Sequence, residues 1–170
     1  MPYWHKTEDG YVQVWTDGAC SMNGYRGAKA GIGVFFGDNN RWNLSEPVMG
    51  RATSNIAEVQ AVTRACYQAR DAGKRRLKIY TDSEYVINCI SKWIPLWRER
   101  DWYTISGKPV ANRRELEDMD EALDELQKFK VKHVKGHQGN YCNEQADRLA
   151  KAGAERYNDD SCSDSDDYYY

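Results

Sequence analysis

Two short runs constrain this chain more than anything else in it. Val12-Gln13-Val14-Trp15-Thr16-Asp17-Gly18 is a β-rich run that stops at a carboxylate. Leu77-Lys78-Ile79-Tyr80-Thr81-Asp82-Ser83 repeats the pattern: β-formers, an aromatic residue, threonine, aspartate, then a small residue. Between them the apolar spacing predicts a long helix, roughly Thr53 to Ala72. A strand, a crossover helix and a strand in one sheet form a parallel, right-handed unit. With the two runs side by side, their aspartates meet at one edge of the sheet. Two anions are not brought together without a cation or a shared proton to offset their repulsion.

The remaining elements follow from turn chemistry and periodicity. Tyr11 to Thr16 reads as the first strand and Ser21 to Gly27, small and polar, as a loop. Ala30 to Phe36 is a second strand, Gly37-Asp38-Asn39-Asn40 a turn and Arg41 to Val48 a third strand, giving an antiparallel meander. A short helix from Ser83 to Ile90 runs on from Asp82, whose plain structural role would be its N-cap. Asn112 is expected to cap a helix whose Leu116, Met119, Leu123 and Leu126 form a core stripe. Phe129 to Val134 is the last strand, with Lys130 and Lys132 on one face, as suits a sheet edge. The loop Lys135-Gly136-His137-Gln138-Gly139-Asn140 precedes a final helix from Asn143 to Arg156. Residues 1–9 read as a polar lead-in, 10–157 as one domain, and 158–170 as an acidic tail expected to be disordered.

Composition excludes several classes of protein. No apolar run approaches the roughly 20 residues a membrane span needs, and the amino terminus carries neither a signal-peptide core nor an Arg-rich transit pattern. Cysteines 20, 66, 89, 142 and 162 are odd in number and form no Cys-x-x-Cys pair, against both a disulfide framework and a zinc site. An intracellular, reducing location is expected, cytoplasmic or nuclear, with the chain a monomer. The tail from Asn158 holds five aspartates and no Lys or Arg; without it, 24 basic residues face 21 acidic ones. So mild an excess means that polyanion binding would need local clustering.

Four acids stand out. Asp17 and Asp82 end the two runs, Glu58 falls on the apolar arc of its helix, and Asp147 lies at the margin of the last helix's apolar face. Each has an ordinary alternative: a hairpin turn at Asp17-Gly18, a capping box Asn55-Ile56-Ala57-Glu58, an N-cap at Asp82 and a surface acid at Asp147. Taken together, four oxygen donors without paired Cys or His ligands suit a hard cation, Mg²⁺ or Mn²⁺. Four carboxylates carry about enough charge for two such ions, the usual arrangement for in-line displacement at phosphorus. His137, on the loop before the last helix, could assist proton movement or product departure. Residues 92–108 hold three of the six tryptophans among basic residues, which fits rings that partly pack and partly face a nucleic-acid backbone.

With these residues in view, the chain resembles the catalytic domain of the cellular type 1 ribonuclease H family. The resemblance rests on Thr16-Asp17-Gly18-Ala19-Cys20, Asn55-Ile56-Ala57-Glu58, Tyr80-Thr81-Asp82-Ser83, Gly136-His137-Gln138-Gly139 and Asn143-Glu144-Gln145-Ala146-Asp147-Arg148-Leu149-Ala150, in order across residues 10–157. It implies an α/β ribonuclease H-like fold: a five-stranded mixed sheet, an antiparallel meander plus two parallel strands, flanked by helices. It implies Mg²⁺-dependent endonucleolytic cleavage of RNA paired to DNA, with two ions held by Asp17, Glu58, Asp82 and Asp147, and His137 as auxiliary residue. Asn23, Ser54 and Asn55 would read the RNA strand's 2′-hydroxyls, the group that tells RNA from DNA. Arg51, Thr53 and Asn112 would bind a DNA-strand phosphate, and Tyr85, Trp93 and Trp97 would line the DNA channel. Nine lead-in residues are too few for the upstream hybrid-binding module of many eukaryotic relatives. A catalytically silent hybrid-binding module on the same fold is the rival of another class, and a transposase or exonuclease the rival enzyme. Against the first stands a full set of acids with no amide or alanine among them; against the second stand the histidine loop and the tryptophan-rich segment.

Overall fold

The structure, a computed structural model, describes residues 3–135 and 140–158. Strand β1 (Val12–Ser21) is followed by β2 (Lys29–Phe35), β3 (Leu44–Pro47), helix α1 (Ser54–Asp71) and β4 (Arg76–Thr81). Next come α2 (Glu84–Asn88), a π-helical turn over Cys89–Trp93, and α3 (Ile94–Glu99). Helix α4 (Arg113–Asp124), β5 (Lys128–His133) and α5 (Tyr141–Glu155) complete the order. The strands form one sheet in the order β3-β2-β1-β4-β5. β1, β2 and β3 are antiparallel neighbours, while β4 lies parallel to β1 and β5 parallel to β4. The expected mixed sheet, with β1 at its centre, is therefore present.

Side-chain alternation assigns the two faces. Val12, Val14, Val34, Leu77 and Ile79 point into the main core, where Val59, Val62, Cys66 and Ala69 of α1 and Leu116, Met119 and Leu123 of α4 meet them. Burying each large aliphatic side chain contributes about 1.5–3 kcal/mol, so this face dominates the hydrophobic stabilisation. Helix α5 covers the opposite face over β1, β2 and β3, with Ala146 packed against Trp15 and Phe35. The helix sits unusually low. A Cβ on Gly33 would come 2.1 Å from the Ala146 carbonyl oxygen, so only glycine allows that approach.

The structure amends four expectations. β1 does not stop at Asp17; it continues to Ser21, paired from Asp17↔Gly33 to Ser21↔Lys29. The repeated run marks instead where parallel pairing with β4 ends, at Trp15↔Tyr80. The third strand is shorter than Arg41 to Val48, because Asn43 folds the chain back: its side chain accepts from the Phe36 amide and donates to the Gly37 carbonyl, both at 2.7 Å. Asn112 sits in the left-handed region (φ 61°) without a capping hydrogen bond, and its amide donates to the Tyr85 hydroxyl at 3.3 Å. Finally, residues 3–9 are more than a polar lead-in. Trp4 packs edge-on against Phe36 with ring centroids 5.3 Å apart, and the Gln13 amide donates to the His5 carbonyl at 2.8 Å.

No helix among the described residues is long and apolar enough to cross a membrane. Cys20, Cys66, Cys89 and Cys142 are free thiols, as their number and spacing suggest. Most of the acidic tail, from residue 159, lies outside the described residues.

Candidate active site

Three elements deliver the acids to one point. Asp17 is carried by the central strand and is 4% exposed. Glu58 arrives on the first turns of α1, which rest directly on the β1 backbone at Gly18. A Cβ there would meet the Glu58 amide nitrogen at 2.5 Å and the Ala57 carbonyl carbon at 2.6 Å. Asp82 follows the last residue of β4, in step with Asp17 by the parallel register. Ligand oxygens of Asp17, Glu58 and Asp82 all lie within 4.8 Å of one another.

The ordinary roles of these acids are taken by neighbours. Thr53 is the N-cap of α1, its hydroxyl accepting from the Ile56 amide at 3.1 Å, so Glu58 belongs to no capping box. Ser83 caps α2 by accepting from the Val86 amide at 3.2 Å, which leaves the Asp82 carboxylate for the cluster. At Asp17 the backbone runs extended rather than turning. The His133 ring nitrogen Nε2 lies 3.2 Å from the Asp82 carbonyl oxygen and ties the end of β5 to this corner.

Asp147 stands at the rim. The seat of α5 on Gly33 sets Ala146 against the sheet and turns Asp147 toward Asp17, close enough to hydrogen-bond with it. Its Oδ2 also lies 2.8 Å from Lys151 Nζ, one helical turn on. The i,i+4 spacing of Asp147 and Lys151 is the sequence signal for this pair, which the reading of Asp147 as a lone acid does not use. The pair is largely exposed and contributes little to stability.

The electrostatics follow from this crowding. Burial, then the charges of Glu58 and Asp82, push the Asp17 carboxyl far above its usual range. Burial and the Asp82 charge likewise raise Glu58, while hydrogen bonds from Asp17 and the Gly18 amide act against the rise. None of Asp17, Glu58 and Asp82 forms an ion pair among the described residues. Glu58 Oε2 is buried without a hydrogen-bond partner. A buried carboxylate oxygen without a donor is costly, and a hard divalent cation among the three carboxylates would supply the missing partner. The residues present fit such an ion.

The other expected site residues fall into two groups. Asn23 Oδ1 accepts from the Ser54 amide at 3.1 Å, joining the loop after β1 to the start of α1, where exposed Asn55 follows. Thr53 spends its oxygen on the cap, and Arg51 is exposed just before it. Tyr85, Trp93, Trp97 and Trp102 form a line of tilted rings with successive centroids 6.2, 6.0 and 6.2 Å apart. The line runs from exposed Trp93 to buried Trp102, so the segment both packs and presents rings. Asn112 joins this line through Tyr85 rather than standing with Arg51 in any hydrogen bond. His137 lies outside the described residues.

Fold and cluster together define an α/β domain with a cluster of three carboxylates, able to hold a cation, over its central strand. The RNase H family model matches residues 9–155, and the chain belongs to that family. It is 40% identical over 148 residues to ribonuclease H1 of Mus musculus, covering 87% of this chain and 52% of that protein. It is 38% identical over 144 residues to ribonuclease H of a Cyanothece species, covering 84% of this chain and 88% of the relative. The solution structure of the PFV RNase H domain superposes with a TM-score of 0.66 at 26% identity, over 86% of this chain and 95% of that one. The chain spans about half the length of the mammalian relatives it matches.

Proposed function

We propose that residues 10–157 form an endoribonuclease that hydrolyses the RNA strand of RNA/DNA hybrids, leaving 5′-phosphate and 3′-hydroxyl ends. The observation that carries this is the convergence of Asp17, Glu58 and Asp82 within 4.8 Å, with a buried Glu58 oxygen lacking a partner, in a chain of the RNase H family. Asp17, Glu58, Asp82 and Asp147 would hold two Mg²⁺ ions, with Mn²⁺ as a substitute. Bound there, the ions supply Lewis acidity toward the phosphodiester and a hydroxide at neutral pH.

The chain's own residues do the rest. Asp17 and Glu58 keep the centre acidic and largely dry, which strengthens every charge interaction within it. Asp147, held by Lys151 at the open side, completes the donor set where substrate arrives. Water adds its oxygen to phosphorus, the ribose 3′-oxygen leaves and takes a proton, and His137 serves as the proton carrier. Asn23, Ser54 and Asn55, tied together by the Asn23–Ser54 bond, would hydrogen-bond the 2′-hydroxyls that distinguish RNA. Arg51, Thr53 and Asn112 would hold a DNA-strand phosphate, and Tyr85, Trp93 and Trp97 would pack against the DNA strand's sugars and bases.

The test is hydrolysis of end-labelled RNA/DNA hybrid, double-stranded RNA, double-stranded DNA and single strands, with Mg²⁺ and with chelator. Metal-dependent cutting of the hybrid's RNA strand alone is expected. Equal cutting of double-stranded RNA would overturn the substrate assignment, and cutting in chelator would overturn the role given to the acids.

A further inference from the structure

A second charged surface lies on the face that α5 leaves open. The helix packs across β1, β2 and β3 and reaches only as far as Tyr80, which stacks on Trp15 with centroids 4.9 Å apart. Beyond it the register sets Arg76 beside Lys128, Lys78 beside Lys130, and Tyr80 beside Lys132. Residues side by side in register share a face, and alternation sends Leu77 and Ile79 to the main core. Five cations therefore project from the same open face of β4 and β5.

Their surroundings do little to neutralise them. Lys130 is paired with Asp9 at 3.1 Å, and Arg76 lies over the Tyr11 ring with its Nε buried and unpartnered. Lys78, Lys128 and Lys132 form no ion pair among the described residues. Protection of an edge strand accounts for lysines on β5. It does not account for Arg76 and Lys78, which sit on β4, one strand in from the edge.

The rows also have a direction. Arg76, Lys78 and Tyr80 lead along β4 toward Asp82, and Lys128, Lys130 and Lys132 run beside them. At about 3.3 Å per residue and 4.8 Å between strands, this is a strip about 13 Å long and two cations wide. A nucleic-acid strand advances about 3.4 Å per phosphate, so the strip spans about four phosphates. We propose that this face is a second binding surface for the sugar-phosphate backbone of a nucleic acid, a track that leads away from the acid cluster along β4 and β5. The choice of nucleic acid over an acidic protein rests on the reading of the neighbouring site as one that acts on RNA/DNA hybrids.

The experiment compares wild type with the triple variant Lys78→Gln, Lys128→Gln, Lys132→Gln. None of the three has an ion pair to lose among the described residues, Lys78 gives up only its place 5.5 Å over the Tyr80 ring, and thermal melts verify the fold. A control triple, Arg41→Gln, Lys74→Gln, Arg114→Gln, removes equal charge elsewhere. Binding to a long hybrid, a short hybrid and poly-aspartate is read by fluorescence anisotropy across a salt series in chelator, where no cutting occurs. Each phosphate contact adds about 0.9 to the slope of log K against log salt for duplexes, so the triple variant should lose about 2–3 from that slope. Its affinity for the long hybrid should fall roughly tenfold or more at moderate salt, with the control triple near wild type. Cleavage of the short hybrid with Mg²⁺ should be unchanged in the triple variant. Equal slopes in wild type and both triples would overturn the proposal, as would a loss confined to poly-aspartate. Because binding is read without turnover, a wild type that binds through this face but cuts nothing would refute the enzyme reading alone.

Discussion

Replacing Asp17 with asparagine should make the metal-free protein more stable, although it removes the most deeply placed acid of the site. Asp17 is 4% exposed, and burial with the neighbouring Glu58 and Asp82 charges lifts its carboxyl far above the ordinary 3.8. The sign follows from linkage. Between pH 3.8 and the raised folded value, the folded state holds a proton that the unfolded chain has released, so stability falls as pH rises through that window. At pH 7, three pH units above the unfolded value, the cost is at most about 4 kcal/mol, at 1.36 kcal/mol per unit. Asp17 and Glu58 are both raised and titrate together, so roughly half of this, about 2 kcal/mol, falls to Asp17. Asparagine keeps the shape without needing a proton, and its amide hydrogens face Glu58 and Asp147 as acceptors. For a domain of this size about 2 kcal/mol corresponds to a Tm rise of roughly 4–8 °C. Thermal melts in chelator from pH 4 to 9 should show no gain near pH 4 and a growing gain above pH 5. Saturating Mg²⁺ should raise the wild-type Tm and leave Asp17→Asn almost unmoved. A variant less stable than wild type at pH 7 in chelator, or a gain independent of pH, would refute the reasoning.

Three further outcomes test other parts of the structure. Asp82→Asn should abolish turnover, seen as a loss of more than a hundredfold in kcat on a labelled hybrid, while hybrid binding measured in chelator stays within a few-fold of wild type. Gly33→Ala puts a methyl group 2.1 Å from the Ala146 carbonyl oxygen, so α5 must lift; denaturant titration should register a loss of about 2–4 kcal/mol, and activity should fall as Asp147 moves. Thr53→Ala removes the α1 cap; chemical denaturation should give a loss of about 1 kcal/mol, and a loss below a few tenths would mean that the cap bond contributes nothing.

What the sequence conveyed and what it withheld divide along physical lines. Asp17 and Asp82 could be paired because equivalent positions in parallel strands meet by register, and register is implied by the repeat itself. Glu58 was visible as an acid on an apolar arc, an anomaly that burial physics flags without coordinates. The extension of β1 past Asp17 was not visible, because Gly18-Ala19-Cys20-Ser21 has weak β propensity and is held extended by pairing with β2, a tertiary effect. For the same reason Gly31 and Gly33 pass without notice inside the second strand, although they let a helix backbone lie against the sheet. Asp82 and Asn55 offer themselves as caps in the sequence, but Ser83 and Thr53, one and two residues away, compete for the same role and hold it, and local preference does not rank them. That competition has a functional consequence. By satisfying the helix amides, Thr53 and Ser83 release Glu58 and Asp82 from local hydrogen bonding, and their charge is left to act on the centre. The same division explains the basic face of β4 and β5. Lys130 and Lys132 could be read as edge protection from β5 alone, but the matching cations on β4 acquire meaning only once the register sets them in rows beside an acidic site.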